Sequence, residues 1–199
     1  MRTDLQFISQ WIKPGERILD MGCGDGAMLA YLIKHKSVTG YGMEIDTQKI
    51  ITCVERGVDV IHQNLNDGLR YLDDASFDTV IMTQSLQQTT NPDKIINEML
   101  RIGQRAIVTF PNFGHWSARL YLGLRGMMPM SKTLPLRWYN TPNIHLCTFK
   151  DFEILCQEQN INILKRTVVN NDHSESWKIK LWPNMLGAIA IYHIEKQEV

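Results

Sequence analysis

The residues Arg17-Ile-Leu-Asp-Met-Gly-Cys-Gly-Asp-Gly26 set the architecture of this chain. The first four are typical of a buried β-strand, and three glycines within the next six residues predict a tight turn. Residues 27–36 then place apolar side chains on one helical face and end in Lys34, His35 and Lys36, which suit a helix C-terminus. The stretch therefore predicts a strand, a glycine turn and a helix whose free N–H groups point at the turn.

Outward from this unit, short β-rich runs alternate with helical patterns along most of the chain. Strands are predicted at 38–43, 58–61, 77–83 and 105–110, and helices at 47–56 and 92–102. Thr148 and Asp151 resemble a capping box that opens a helix to about residue 159. Residues 161–169 and 188–194 predict a terminal antiparallel pair. This alternation is typical of an α/β fold with a doubly wound parallel sheet.

Composition supports one folded domain spanning residues 1–199. Hydrophobic residues make up 44% of the chain, and 21 basic residues balance 21 acidic ones, which argues against a nucleic-acid partner. No apolar run approaches the roughly 20 residues of a membrane helix, so we expect no membrane partner. The four cysteines lack CxxC spacing, which argues against a zinc knuckle or a redox pair and favours free thiols in a reducing cytoplasm. No paired histidine and carboxylate spacing suggests a metal site, so we expect none.

The glycine turn predicts a small-molecule site, because ligands of such sheets bind at the carboxyl ends of the strands. Gly22, Gly24 and Ala27 satisfy a relaxed dinucleotide fingerprint, and Glu44 is placed to bind ribose hydroxyls. A nicotinamide dinucleotide and S-adenosylmethionine are both compatible with this pattern. The third interpretation is a turn that only tightens the packing of strand on helix.

Charge separates the two cofactors. Asp20 stands at the entrance of the turn and Asp25 within it, and both would repel a pyrophosphate at short range. S-adenosylmethionine carries no phosphate and offers an ammonium and a sulfonium, which Asp20 can face. The residues therefore favour S-adenosylmethionine.

Several segments carry a family resemblance. Residues 17–26, Tyr41-Gly-Met-Glu-Ile-Asp46 and Ser76-Phe-Asp-Thr-Val-Ile81 resemble class I S-adenosylmethionine-dependent methyltransferases. Phe110-Pro-Asn-Phe-Gly-His-Trp116 and Trp138-Tyr-Asn-Thr-Pro-Asn-Ile-His-Leu-Cys-Thr148 are more specific and resemble the methionine biosynthesis MetW family. The resemblance implies a seven-stranded, Rossmann-like methyltransferase sheet with its last strand antiparallel. It also implies S-adenosylmethionine or S-adenosylhomocysteine as the bound cofactor.

The resemblance assigns a cofactor role to nine residues. They are Asp20, Gly22, Cys23, Gly24, Glu44, Asn64, Leu65, Thr83 and Gln84. Glu44 would bind the ribose, and Asn64 and Leu65 would frame the adenine. An asparagine at 64 departs from the usual acidic residue: its amide oxygen can still accept a hydrogen bond, but the charge assistance is lost.

Catalytic candidates are two histidines. His115 and His145 have an intrinsic pKa near neutrality and could act as general bases, or they could hydrogen-bond the backbone of a loop-rich region. No Asn/Asp-Pro-Pro-Tyr motif follows the strand at 77–83, which disfavours methylation of amino groups on adenine or glutamine. Methyl transfer to a small molecule and cofactor binding without catalysis are both retained as hypotheses.

Residues 112–147, here called the insertion, follow the strand at 105–110 and differ from the rest of the chain. From Asn112 to Lys150 there are five basic residues and no acidic ones, so the remaining 160 residues carry a net charge of −5. Arginine and aromatic anchors typify protein interfaces. We therefore expect partner-binding residues here, namely Trp116, Arg119, Arg125, Arg137, Trp138 and Tyr139. A lid packed on the core of the protein is the alternative.

The family resemblance also implies a partner. MetW-family proteins are associated with homoserine O-acyltransferase MetX in methionine biosynthesis, which suggests that this chain is a subunit that activates that enzyme. The alternative is a small-molecule methyltransferase whose acceptor is held under the insertion.

Overall fold

The computed structural model describes residues 3–131, 134–170 and 182–197, which form one mixed sheet with helices on both faces. The strands are β1 (Arg17–Met21), β2 (Thr39–Glu44), β3 (Val60–His62), β4 (Phe77–Thr83), β5 (Gly103–Pro111), β6 (Ile161–Val169) and β7 (Ile189–Lys196). The α-helices are α1 (Thr3–Trp11), α2 (Ala27–Lys36), α3 (Thr47–Glu55), α4 (Pro92–Ile102), α5 (Trp116–Arg125), α6 (Phe149–Glu158) and α7 (Pro183–Leu186). Short 3-10 helices span Leu65–Asp67 and Leu86–Gln88.

The sheet has the strand order β3-β2-β1-β4-β5-β7-β6. Strands β1 to β5 run parallel, and β7 is antiparallel to both of its neighbours. The chain reverses its direction of winding between β1 and β4, which opens a crevice at their carboxyl ends. The predicted seven-stranded α/β sheet with a reversed last strand is confirmed.

Two apolar clusters, one on each face of the sheet, form the core. On one face, side chains of α4 and α6 pack against the sheet, where Phe110 stacks on Tyr192 with 5.9 Å between ring centroids. On the other face, Ile8 of α1 and Ile12, which directly follows this helix, pack with Ile107 and Ile191 of the central strands. Because β4 and β5 are covered on both faces, their central residues, 80–82 and 106–108, are all apolar and buried, as in other buried parallel strands.

The boundaries of the elements show how far local patterns reach. The predicted limits of α2, β4 and β6 are correct, and the Thr148–Asp151 capping box forms as predicted. Strand β3 begins at Val60 rather than at 58, because the Val58 N–H donates to Cys53 O at the end of α3. Helix α4 begins at Pro92 as predicted, but the side chain of Asn91 makes no capping hydrogen bond.

The insertion is attached at its ends and exposed in its middle. The Phe113 N–H donates to Cys147 O across 3.0 Å, which ties the two ends together. Between them, α5 has no buried side chain, so this helix is not a lid packed on the core. Lys132, one of the basic residues of this stretch, lies outside the described residues. No helix within the described ranges is long and apolar enough to cross a membrane.

Candidate functional site

All nine residues assigned to the cofactor line one cavity at the carboxyl edge of β1, β2 and β4. Its volume is about 650 Å³. The lining residues predicted from sequence are Asp20, Gly22, Cys23, Gly24, Glu44, Asn64, Leu65, Thr83 and Gln84. The cavity therefore lies at the reversal point of the sheet, where this topology places ligands.

The glycine turn forms the floor of the cavity. Gly22 and Gly24 have φ values of 73° and 59°, in the left-handed region that glycine adopts without strain. A Cβ at position 22 would lie 2.5 Å from Ser85 Oγ, so no larger residue fits there. A Cβ at position 24 would have no atom within 4 Å, because it would project into open space. The turn thus leaves room above Gly24 that a ligand can fill.

Asp20 contributes a buried carboxyl group to the wall of the cavity. Its side chain is 1% exposed, and its Oδ1 has no hydrogen-bond partner within the described residues. Burial, with a smaller contribution from the nearby Glu44 charge, raises the pKa of Asp20 to about 7. An unpaired buried carboxylate facing a cavity fits a ligand that carries a positive charge or a hydrogen-bond donor.

Glu44 lies at the end of β2, where three backbone N–H groups orient its carboxylate. Its Oε2 accepts from Gly24 N at 2.9 Å, and its Oε1 accepts from Ile45 N at 2.9 Å and Asp46 N at 3.0 Å. These bonds leave one acceptor position free on Oε2, because each carboxylate oxygen can accept two hydrogen bonds. The group is pre-organised to accept from a hydroxyl in the cavity.

Asn64 has a structural task that the sequence did not reveal. Its Oδ1 accepts from Asn66 N at 3.0 Å and so caps the 3-10 helix that follows β3. Asn66 Oδ1 in turn accepts from Thr90 N at 2.7 Å, which joins this wall to the segment after β4. The Asn64 amide oxygen retains one acceptor position for a ligand.

The cavity has further lining residues that the sequence analysis missed. They are Leu5, Asp25, Ala27, Met28, Met43, Ile45, Lys49, Gln63, Asn66, Ser85, Gln88 and Thr89. Most of them lie next to a predicted residue in the same turn or strand end, so they could have been predicted from their position in the sequence. Lys49 comes from α3, and Leu5 comes from α1, whose apolar residues 5, 8 and 11 at helical spacing were the available signal.

The structure places neither histidine candidate in the wall of this cavity. His115 caps α5, because its Nδ1 accepts from Ser117 N at 3.3 Å, and burial lowers its pKa. His145 Nε2 lies 3.3 Å from Thr90 O. Cys23 does line the cavity, but burial raises its pKa, so its thiol stays protonated and unreactive near neutral pH.

Metal-ligating side chains are not clustered in the described ranges. No group of three or more His, Cys, Asp or Glu residues there could hold a metal ion. The four cysteines are free thiols.

The candidate partner-binding residues share one property, which is exposure. Trp116, Trp138 and Tyr139 are 47%, 74% and 62% exposed, and the arginines at 119, 125 and 137 are exposed too. The Arg125 guanidinium lies 4.9 Å from the Tyr121 ring centroid. Further exposed apolar residues of the insertion are Leu120, Leu122, Leu124, Met127, Met128, Met130, Leu136, Ile144 and Leu146. Exposed apolar residues at this density are typical of interaction surfaces.

A family model and several known proteins match the sequence of this chain. The family model described as methionine biosynthesis protein MetW matches residues 2–194. A bifunctional methionine biosynthesis protein MetXA/MetW of Rhodopirellula baltica is 30% identical over 208 aligned positions, which cover 99% of this chain and 33% of that protein. This chain thus spans about a third of the length of that relative. A ribosomal protein L11 methyltransferase of Neisseria meningitidis is 31% identical over half of this chain and 32% of its own length.

Comparisons of structure show the fold. An S-adenosylmethionine-dependent methyltransferase of Mesorhizobium loti matches with a TM-score of 0.71 and 13% identity over 98% of both chains. A possible histamine N-methyltransferase of Thermotoga maritima matches with a TM-score of 0.67 and 18% identity, over 98% of this chain and 88% of that one. The described sheet is therefore a class I methyltransferase fold.

Proposed function

The chain belongs to the methionine biosynthesis protein MetW family, and we propose on that premise that it is an S-adenosylmethionine-binding subunit that activates homoserine O-acyltransferase MetX in the cytoplasm. One observation carries the partnership: the Rhodopirellula baltica relative bears the names MetXA and MetW on a single chain, and this chain aligns with a third of it along 99% of its own length. Two proteins that are fused in one organism commonly act on each other as separate chains in another.

The cavity supports the cofactor part of the proposal. The ligand-facing groups are an unpaired buried carboxylate on Asp20, an oriented carboxylate on Glu44 and open space above Gly24. Asp20 would face the ammonium of S-adenosylmethionine or S-adenosylhomocysteine, Glu44 would accept from a ribose hydroxyl, and Leu65 would flank the adenine. S-adenosylmethionine supplies an electrophilic methyl group when bound, whereas the residues named here only bind and orient it.

The insertion supports the partner part of the proposal. Its exposed tryptophans and arginines are the residue types that dominate binding energy at interfaces. Because residues 112–150 hold no acidic side chain, the complementary surface on the acyltransferase should be apolar with an acidic rim. The four free cysteines of the chain fit a reducing compartment.

The test is the rate of homoserine acylation by the acyltransferase of the same organism, measured with and without an equimolar amount of this chain. We expect the rate to rise about tenfold or more and the two proteins to elute together. Leu124→Glu, on α5, should abolish both effects, because it places a charge in the apolar surface. Val54→Glu, on α3 and similarly exposed, is the matched control and should preserve both. An unchanged rate without co-elution would refute the partnership.

The second candidate function is a small-molecule methyltransferase. It is favoured by the polar wall that continues past the predicted residues, at Ser85, Gln88 and Thr89, where an acceptor has room beside the cofactor. Incubation with S-adenosylmethionine and a cell extract would then yield S-adenosylhomocysteine. Gly24→Asp should abolish this product, whereas Gly57→Asp should not, because Gly57 has the same open surroundings and a positive φ but lies outside the cavity.

A further inference from the structure

We infer that a ligand in the cavity strengthens binding of the partner by the insertion, and that residues 84–90 transmit the effect. This inference rests on the proposed function, because it concerns the regulation of the same two sites. Residues 84–90, here called the connecting segment, follow β4 and include the 3-10 helix Leu86–Gln88. They touch the cavity on one side and the insertion on the other.

On the cavity side, the connecting segment forms part of the wall. Gln84, Ser85, Gln88 and Thr89 all line the cavity. Ser85 also packs closely on the glycine turn, since a Cβ built on Gly22 would lie 2.9 Å from Ser85 Cβ. A ligand seated on the glycine turn must therefore meet this segment.

On the insertion side, one backbone carbonyl of the connecting segment accepts from two consecutive amides near the end of the insertion. Gln87 O accepts from Ile144 N at 2.9 Å and from His145 N at 3.0 Å. The His145 ring adds a contact of 3.3 Å between Nε2 and Thr90 O, across 55 positions of sequence. Gln87 itself is 5% exposed, so water does not compete freely for these groups. The path of the insertion at 144–145 thus depends on where the Gln87 carbonyl lies.

The connecting segment is held in a conformation that local preferences alone would not select. Gln84 has a φ of 53°, which is unusual for a residue other than glycine, and its N–H donates to both Thr109 O and Thr109 Oγ1. Gln87 Nε2 donates to Gln84 O at 2.8 Å, while Gln87 Oε1 is buried with no partner in the described part of the chain. Such strain persists only where the surroundings impose it, and it is typical of segments that switch between two arrangements.

A ligand shifts this equilibrium toward whichever arrangement it binds better. In the arrangement described, the cavity wall is formed and the Gln87 carbonyl accepts both insertion amides. A ligand that packs on Gln84, Gln88 and Thr89 therefore stabilises the two hydrogen bonds and the anchored insertion together. By linkage, the bound partner must strengthen ligand binding by the same factor.

The experiment measures the affinity of the chain for the acyltransferase with and without saturating S-adenosylhomocysteine. We expect the Kd for the partner to fall about fivefold or more in the wild type. Ile144→Pro removes the N–H that donates to Gln87 O and should reduce the effect to within about twofold. Ile144→Ala removes the same exposed side chain but keeps the N–H, so it should preserve the ratio.

The outcomes separate the inference from the proposed function. If titration calorimetry detects no binding of S-adenosylhomocysteine, or if the chain does not bind the acyltransferase, the proposed function is refuted and this inference with it. If the chain binds both S-adenosylhomocysteine and the acyltransferase, but its affinity for the acyltransferase is the same with and without the ligand, this inference alone is refuted. A full ligand effect in Ile144→Pro would refute the connecting segment as the route.

A second measurement needs no variant and covers the case that Ile144→Pro does not fold. Amide hydrogen exchange of Ile144 and His145 in the wild type should slow by about tenfold when S-adenosylhomocysteine binds. The Gly126 amide, which donates to Leu122 O at 2.9 Å at the end of α5, is the internal control and should not change. Unchanged exchange at residues 144 and 145 in the ligand-bound chain would contradict the inference.

Discussion

Helices α4 and α5 follow neighbouring strands and have similar lengths, yet they use their apolar residues in opposite ways. Helix α4 buries five side chains, at Ile95, Ile96, Met99, Leu100 and Ile102. Helix α5 carries a tryptophan and three leucines and buries none of its side chains. Apolar residues at helical spacing therefore show that a helix has an apolar face, but not what covers that face. In α4 the cover is the sheet; for α5 we propose a second protein.

The largest expected effect tests this contrast directly. Met99→Ala should lower the free energy of unfolding by about 2–5 kcal/mol, because it leaves a cavity in a fully buried site. Leu124→Ala, at a leucine that is 77% exposed, should change that free energy by less than about 0.5 kcal/mol. Urea denaturation of the two variants and the wild type would measure both values. A comparable loss in Leu124→Ala would mean that α5 is packed on its own chain after all.

The next largest effect is on the pH dependence of the free energy of unfolding. Two buried groups of the sheet, Asp20 and His193, change this free energy in opposite directions between about pH 4 and pH 7. The pKa of Asp20 is raised from 3.8 to about 7, so its contribution favours folding at low pH and is lost as the pH rises through 7. Burial lowers the pKa of His193 from 6.5 to about 4, so its contribution is lost as the pH falls through 4. Between pH 4 and pH 7 each group changes the free energy of unfolding by about 3 kcal/mol, and the two changes largely cancel in the wild type.

Two single variants should separate these contributions. In Asp20→Asn the free energy of unfolding should rise with pH across this range by about 3 kcal/mol relative to the wild type. In His193→Phe, which keeps a ring against Trp11, it should fall with pH by a similar amount, about 3 kcal/mol. Denaturation curves at several pH values give both slopes. Parallel profiles for all three proteins would show that neither group titrates differently in the folded chain.

A smaller effect distinguishes two glycines of the turn. Gly22→Ala should destabilise the chain by about 1–3 kcal/mol more than Gly24→Ala, because both residues have a positive φ but only position 22 lies against Ser85. Ser85→Gly should restore part of this difference in the Gly22→Ala background. Equal losses in the two alanine variants would show that backbone conformation alone decides the cost at both positions.

The smallest expected effect on stability is in the insertion. Trp138→Ala should change the free energy of unfolding by less than about 0.5 kcal/mol, since this side chain is 74% exposed. The same change should weaken binding to the acyltransferase by about tenfold or more. Tyr71→Ala, also exposed but outside the insertion, should leave that affinity unchanged. Normal partner binding by Trp138→Ala would remove this residue from the proposed interface.

Local sequence patterns predicted the structure correctly where neighbours in the chain decide it. The limits of α2, β4 and β6 and the capping box of α6 depend on residues a few positions apart. Four of the nine cavity residues were indicated by the glycine turn and its charges, namely Asp20, Gly22, Gly24 and Glu44. The family resemblance added positions at other turns and strand ends. Helix α1 was not predicted, although apolar residues 5, 8 and 11 stand at helical spacing. Its contribution to the cavity through Leu5 depends on a contact across the sheet that no residue near position 5 indicates.

Local patterns thus specify the strands and the glycine turn, because these depend on short-range backbone and side-chain preferences. The basic and aromatic character of the insertion is read directly from its residues. Only the folded sheet decides the unpaired Asp20 oxygen, the second task of Asn64 and the exposure of α5. These features arise from contacts between distant parts of the chain. The hydrogen bonds from Ile144 and His145 to Gln87 are of the same kind. Burial and hydrogen-bond partners at such contacts depend on which strands lie side by side in the sheet, and no short segment encodes that order.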